Sequence, residues 1–526
     1  MAVLLILVGL VTVVVAVSGL AGRLGLLAPI LLVMAGVALS FIPGVPHLRL
    51  DPQVVLVGIL PPLLYVAAVE TSVPAFRFNL RPILLLAVGL VLFTAACVGF
   101  AVHALLPEVP LAACFALGAI VAPPDAVAAT AVARRIGLPR RIVSILEGES
   151  LVNDATALVI FRVALAAAQG QTLSTLGIAG NAALASVGGV LVGGLGGVVV
   201  AHIHRRIINP LLENSVSLIV PFVVYAAAEE IHASGVVAVV VTGLYLGHRY
   251  PSLISARSRL QMEAFWAMVK FLLEGAVFLL VGLQLRMIIE QLHTPLRLAV
   301  ASTAIVLGTV VVTRFIWLYP ATYATRLIPR VRARDPAPPL RGPTLIAWAG
   351  MRGVVTLAAA LALPTSLARG AGYPRSLFVW LAFSVIVATL VLQGVTLPAL
   401  ARRLRIDPDD PRADALAEAA VQHAASRAAQ ERLDAELTGD GHVPDAVVQR
   451  LRSKLNDRTN LAWERLGGRD RGETPSEAYG RLRRAMLEAE REVFRVARDE
   501  GRIPEEVLRR AQRDLDLEES LLQRED

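Results

Sequence analysis

From the first residue to about residue 400, apolar residues run in long stretches separated by short loops rich in arginine. Each stretch approaches the roughly 20 residues needed to cross a ~30 Å hydrocarbon core. In lipid the backbone must satisfy its own polar groups, so each stretch is predicted to be helical. Helices are expected near 2–20, 27–44, 53–70, 83–106, 109–133, 142–168, 174–201, 215–233, 234–248, 261–285, 298–325, 342–365 and 376–400. The total is about 13 transmembrane helices, with the eighth and ninth divided only by Glu229-Glu230-Ile231-His232. Residues 1–20 lack a charged leader region and a small-residue cleavage site, so they read as a first span rather than a cleaved signal.

Loop charge tests that count. Loops after odd-numbered spans hold 17 arginines and loops after even-numbered spans hold 5, among them Arg49, Arg286, Arg297, Arg369 and Arg375. By the positive-inside rule the N-terminus is expected outside and the C-terminus in the cytoplasm. Thirteen divides as six, one, six, and two six-helix units separated by one extra span lie in opposite orientations. This is the arithmetic of an inverted repeat, common in secondary transporters. The seventh span would be the linker, its glycines from Gly188 to Gly197 permitting close helix packing.

Composition agrees with a membrane protein. The chain has 526 residues, 56% hydrophobic, with a mean hydropathy of +0.64. Its net charge of +8 is unevenly placed: residues 401–526 hold 24 basic and 28 acidic side chains, so the excess lies in the membrane loops. No basic patch interleaved with aromatics suggests a nucleic-acid partner. Cys97 and Cys114 sit in apolar spans and read as small buried hydrophobes without disulfide or metal spacing. After Pro408 the chain is charged and alanine-rich, with helical periodicity around 411–437, 443–466, 475–500 and 504–522, and is expected to form a helical cytoplasmic tail. It shows no nucleotide-binding or calcium-loop signature. Residues 1–400 are expected to be the transmembrane domain.

Charges within apolar spans are costly and mark function or an ion pair. In the fifth span Pro123 and Pro124 remove two backbone donors and disfavour helix before them. The helix is expected to break there, freeing carbonyls around Ala119 to Val121, with Asp125 near the start of the second half. In the sixth span Ser150 and Asp154 lie one turn apart on the same face. A hard monovalent cation needs several oxygens, and these groups with the freed carbonyls would supply them. A carboxylate withdrawn from water holds its proton more firmly, so proton and cation would compete for the same oxygens. That exclusion is the core of exchange.

Other buried charges read as scaffolding. Arg352, flanked by Gly350 and Gly353 in the twelfth span, needs a partner, and Glu149 is the expected one. Glu274 in the tenth span is open to three readings: pairing with Arg314, gating access, or facing cytoplasmic water. His202 and His204 are expected at a cytoplasmic interface, and Glu229 and Glu230 in solvent at the outer surface.

These residues resemble the sodium–proton exchanger branch of the monovalent cation:proton antiporters, in its bacterial NhaP-like form. The run Gly148-Glu149-Ser150-Leu151-Val152-Asn153-Asp154-Ala155 matches the asparagine–aspartate signature of that branch. Residues 118–127 resemble its broken-helix motif, Gly350-Met351-Arg352-Gly353 its arginine motif, and Leu60-Pro61-Pro62-Leu63-Leu64 its third-span proline motif. The resemblance implies a homodimer with two discontinuous, crossed helices, with 83–168 and 298–400 as the ion-transporting core and the remainder of 1–400 for dimerisation and scaffold, and no cofactor beyond the transported Na+ and H+. It implies Asp154 as the cation and proton site, helped by Ser150, the backbone at Pro124 and Asp125 through water, and Glu149 with Arg352 as a structural ion pair. Asn153 stands where a related branch has a second aspartate, which implies one cation exchanged for one proton. Two departures from the branch are Pro124, where threonine is usual, and the lack of an acid just after Pro62, for which Glu70 is the candidate substitute. The alternatives are a K+/H+ antiporter, a cation-coupled symporter and a channel. No nucleophile or metal set suggests an enzyme.

Overall fold

The structure is a computed structural model. It describes the whole chain except Gly44, Pro46, His47, Arg49, residues 172–174, Thr365, residues 367–372, 439–442, 465–473 and Asp526. The loop charges Arg49 and Arg369, and the predicted helix ends at 44, 174, 365 and 465–466, lie outside the described residues. Two compact units are present, Met1–Pro408 and Asp409–Asp526.

The first unit is all helical. It opens with α1 (Ala2–Leu24), α2 (Ala28–Ser40) and α3 (Leu60–Glu70), the last continuing a π-helical stretch at Val54–Ile59. Pro61 and Pro62 withhold two donors at the start of α3, and the turn before them is the widened one. Next come α4 (Val73–Phe78) and α5 (Leu80–Leu84), a second π-helical stretch at Leu85–Leu90, and α6 (Val91–Leu105). There follow α7 (Leu111–Val121), α8 (Ala126–Arg135), α9 (Arg140–Ala168), α10 (Thr175–His204), α11 (Pro210–Glu230), α12 (Gly235–Leu253) and α13 (Ala256–Leu283). The unit closes with α14 (Leu285–Glu290), α15 (Leu296–Tyr323), α16 (Pro329–Arg334), α17 (Arg341–Trp348), α18 (Val354–Leu361) and α19 (Arg375–Arg403). Among the described residues, eight helices are long and apolar enough to cross a membrane; α2, α7 and the segment Val54–Glu70 are shorter apolar helices.

Large apolar side chains remain exposed along α1 and α10, for example Leu5, Leu191 and Leu195. Water would penalise such faces, and a bilayer covers them. On its other side α10 packs against α12 at backbone distance: a Cβ on Gly193 would stand 2.4 Å from the Ala238 carbonyl. Thr242 donates to the Gly193 carbonyl at 2.8 Å across the same contact. The predicted role of these glycines in packing holds there.

The second unit is four helices, α20 (Pro411–Leu437), α21 (Asp445–Glu464), α22 (Pro475–Asp499) and α23 (Glu505–Glu525). Leu487, Leu515 and Leu522 form its small apolar core, with Phe494 against them. Arg483 pairs with both Glu518 and Glu490.

Candidate functional site

Two helices are interrupted, and each interruption is satisfied by the other. Helix α7 ends at Val121 and α8 begins at Ala126, with Pro123 and Pro124 between them. Asp125 is the N-cap of α8, its Oδ1 accepting from the Val127 N–H at 2.9 Å. The second interruption separates α17 from α18, with Gly353 in extended conformation before α18. The Asp125 N–H donates to the Met351 carbonyl at 2.7 Å, joining the two breaks through the backbone. Arg352 donates from Nε to the Val121 carbonyl at 3.1 Å and from Nη2 to the Ala122 carbonyl at 3.2 Å. Its Nη1 also donates to the Gly350 carbonyl, and its backbone N–H to Thr389 Oγ1 at 3.1 Å.

Helix α9 presents one face to this crossing. Asn153 donates from Nδ2 to the Pro124 carbonyl at 2.5 Å. Asp154 is 9% exposed and lines a cavity of about 520 Å³ together with Ser150, Pro124, Asp125 and Thr356. The same cavity is lined by Glu274 and Lys270 of α13, by Glu70, and by Glu147, Arg134 and Arg135. Lys270 bonds Glu70 at 2.8 Å, and Arg134 bonds Glu147 at 2.8 Å. Among the described residues no basic side chain pairs with Asp154. The structure thus brings Asp154, Ser150, Asp125, Pro124 and Glu274 to one hollow, with Glu70 nearby.

Several expectations are corrected. Glu149 pairs with Arg314 of α15, not with Arg352: Nη1 and Nη2 reach its two carboxylate oxygens at 2.7 and 2.8 Å, and both residues are 1% exposed. The physical reason is that the broken helix α7–α8 offers Arg352 the carbonyls it would otherwise lack, leaving Glu149 to the parallel guanidinium fork of Arg314. Arg314 is therefore no partner for Glu274, which faces the cavity with Lys270. The carbonyls freed by the prolines are not all open either, since Val121 serves Arg352 and Pro124 serves Asn153. His204 is buried rather than interfacial, its ring edge-on to Tyr250 at 5.7 Å. Glu229 is bonded by Arg162 at 2.9 Å rather than merely solvated.

Three contributors were missed by sequence reasoning. Lys270 had a signal, being one of only two lysines in the chain and four residues before Glu274 on the same helix face. Thr389 had none. Gly353 was noted only as flanking Arg352, yet a Cβ there would stand 1.9 Å from Asp125 Oδ2.

The transmembrane profile of the sodium/hydrogen exchangers matches residues 9–403. The chain belongs to the sodium/hydrogen exchanger family. As a member, this exchanger is an all-α, multi-pass membrane transporter of monovalent cations and protons, serving ion and pH homeostasis, and not an enzyme. It is 36% identical over 529 residues to an uncharacterised Na+/H+ exchanger of Mycobacterium tuberculosis (strain H37Rv), covering 98% of this chain and 95% of that one. It is 34% identical over 389 residues to a sodium, potassium, lithium and rubidium/H+ antiporter of Bacillus subtilis, covering 71% of this chain and 57% of that one. The sodium proton antiporter MjNhaP1 of Methanocaldococcus jannaschii, solved at pH 8, shares the fold. Its TM-score is 0.58 at 19% identity, over 76% of this chain and 99% of that one.

Proposed function

We propose that the exchanger trades Na+ for H+ by competition at the Asp154 carboxylate, one ion for one proton and without net charge movement. The observation that carries this reading is an unpaired, nearly buried carboxylate on the wall of an oxygen-bearing cavity. A proton and a cation use the same two oxygens, so binding one expels the other. Ser150 and Asp125 complete the ligand set, with Pro124 adding the lone pair that Asn153 leaves free. Asn153 itself is a neutral tether and contributes no second titrating acid, which supports a one-to-one exchange.

Thirteen membrane crossings in a six-one-six inverted repeat account for the helix order, taking α7–α8 and α17–α18 as one broken crossing each. With the N-terminus outside and the C-terminus inside, the cavity opens toward the cytoplasm, since its lining includes Arg134 and Arg135 of the loop after the fifth crossing. The transporter works as a homodimer in the plasma membrane, with residues 83–168 and 298–400 moving against the rest. Glu149 acts structurally, through Arg314, and Arg352 holds the crossing of the two breaks. Potassium exchange is a second reading, favoured by the breadth of ions in the name of the Bacillus subtilis relative.

Dye-reported proton flux in proteoliposomes tests the proposal, with Na+, Li+ and K+ added in turn. The expected result is cation-driven alkalinisation of the vesicle lumen that ignores an imposed membrane potential and disappears for every ion in Asp154→Asn; lumenal acidification would mark a symporter instead. Exchange retained in that variant would remove Asp154 as the carrier.

A further inference from the structure

Away from the transport cavity lies a second pocket, of about 100 Å³, between α5, α9, the end of α15 and α17. Its charged lining is wholly basic: Arg81 from α5, Arg141 from α9 and Arg326 from the turn after α15. One carboxylate, Asp335, serves two of them, bonding Arg141 at 2.6 Å and Arg326 at 2.5 Å. Among the described residues Arg81 receives no such ion-pair partner. Its Nη2 donates to Thr325 Oγ1 at 2.7 Å, and its Nε is buried without a hydrogen-bond acceptor. Three guanidinia against one carboxylate leave a surplus of two positive charges, and a buried N–H aimed at nothing costs free energy.

Apart from Thr322, the other side chains of the pocket wall are apolar, including Leu85, Ile142, Ile145 and Leu318. Exposed apolar side chains adjoin the lining arginines: Phe78, 67% exposed, lies with its ring centroid 5.6 Å from the Arg141 guanidinium, and Leu327 (81%) and Ile328 (55%) follow Arg326 in the chain. A water-facing anion site would not be ringed by such residues, whereas the boundary between lipid tails and headgroups would be. Guanidinium forks match the oxygens of a phosphate.

We propose that this pocket binds the phosphate of an anionic phospholipid, whose acyl chains continue over the exposed apolar residues at its mouth. The headgroup completes the hydrogen bonding of Arg81 and bridges α5, α9 and the turn after α15. Basic pockets between membrane helices are suited to this use. The binding does not depend on the transport reading above.

Native mass spectrometry of the full-length protein in detergent tests it, titrating phosphatidylglycerol against phosphatidylcholine of the same acyl chains. Phosphatidylglycerol is expected to form an adduct that phosphatidylcholine does not, weakened about fivefold in Arg81→Gln. Gly342 lines the same pocket, and a Cβ there meets open space. Gly342→Leu is therefore expected to fold, keep all three arginines and exclude the lipid by bulk. Equal adducts of the two lipids, or undiminished phosphatidylglycerol binding in Gly342→Leu, would overturn the site. Displacement of the lipid by millimolar inorganic phosphate would assign the pocket to the free ion and overturn the lipid as its occupant.

Discussion

The Asn153 side-chain amide donates to the Pro124 carbonyl across 2.5 Å, so the residue beside Asp154 ties α9 to the break between α7 and α8. This bond needs a donor. Asn153→Asp replaces it with an oxygen facing an oxygen, and Asn153→Ala leaves a buried carbonyl unpaired, at a cost of about 1–3 kcal/mol. Both variants are expected to lose at least tenfold in the rate of cation-driven proton flux. If Asn153→Asp instead exchanged normally but moved net charge, the asparagine would be setting the stoichiometry and not the geometry.

Gly353→Ala is expected to reduce transport sharply while the protein still reaches the membrane. The added methyl would overlap Asp125 Oδ2 at 1.9 Å, and overpacking of this kind costs roughly 1–3 kcal/mol. Displacing Asp125 also disturbs its backbone bond to Met351. Flux in proteoliposomes beside melting temperature in detergent separates the two effects, and unaltered flux would show that the crossing can relax.

Removing one member of a buried pair strands the other, at about 3–5 kcal/mol. Arg314→Met should therefore lower the melting temperature far more than the double variant Arg314→Met with Glu149→Leu. Size-exclusion yield and thermal melts of the three proteins check this. A double variant as unstable as the single one would mean that Arg314 matters for more than Glu149.

If proton and cation compete at Asp154 as proposed, the sign of the pH dependence follows. Lower pH adds the competitor, so the apparent KM for Na+ should rise as pH falls, by about tenfold per unit once the protonated form dominates. The maximal rate at saturating Na+ should change much less. Initial rates across a grid of pH and Na+ measure both, and an apparent KM independent of pH would argue for separate proton and cation sites.

Helix positions were legible because lipid leaves the backbone one option, and apolar length then reveals each element. The break at Pro123 and Pro124 was legible for a similar local reason, two missing donors. Ion pairing was not. Glu149 and Glu274 on one side, Arg314 and Arg352 on the other, allow more than one matching, and helical pitch tells which face a residue occupies but not which helix stands opposite. Arg352 found carbonyls in place of an acid, an outcome that depends on two interruptions meeting in space. His204 was misjudged because its place at a helix end says nothing of Tyr250 closing over it. The closeness of Gly353 to Asp125 is likewise a long-range fact, separated by more than two hundred residues of chain.

Glu149 and Arg314 offset one another and Lys270 offsets Glu70, so the cavity is left with three acids, Asp125, Asp154 and Glu274, that make no ion pair among the described residues. If Asp154 is the carrier proposed above, moving its ionised, empty carboxylate past the apolar flank of Val277 and Phe278 would cost several kcal/mol, and a proton or a univalent cation bound there would remove that cost. Such a carrier would resist leakage without cargo by electrostatics, with no mechanical latch required.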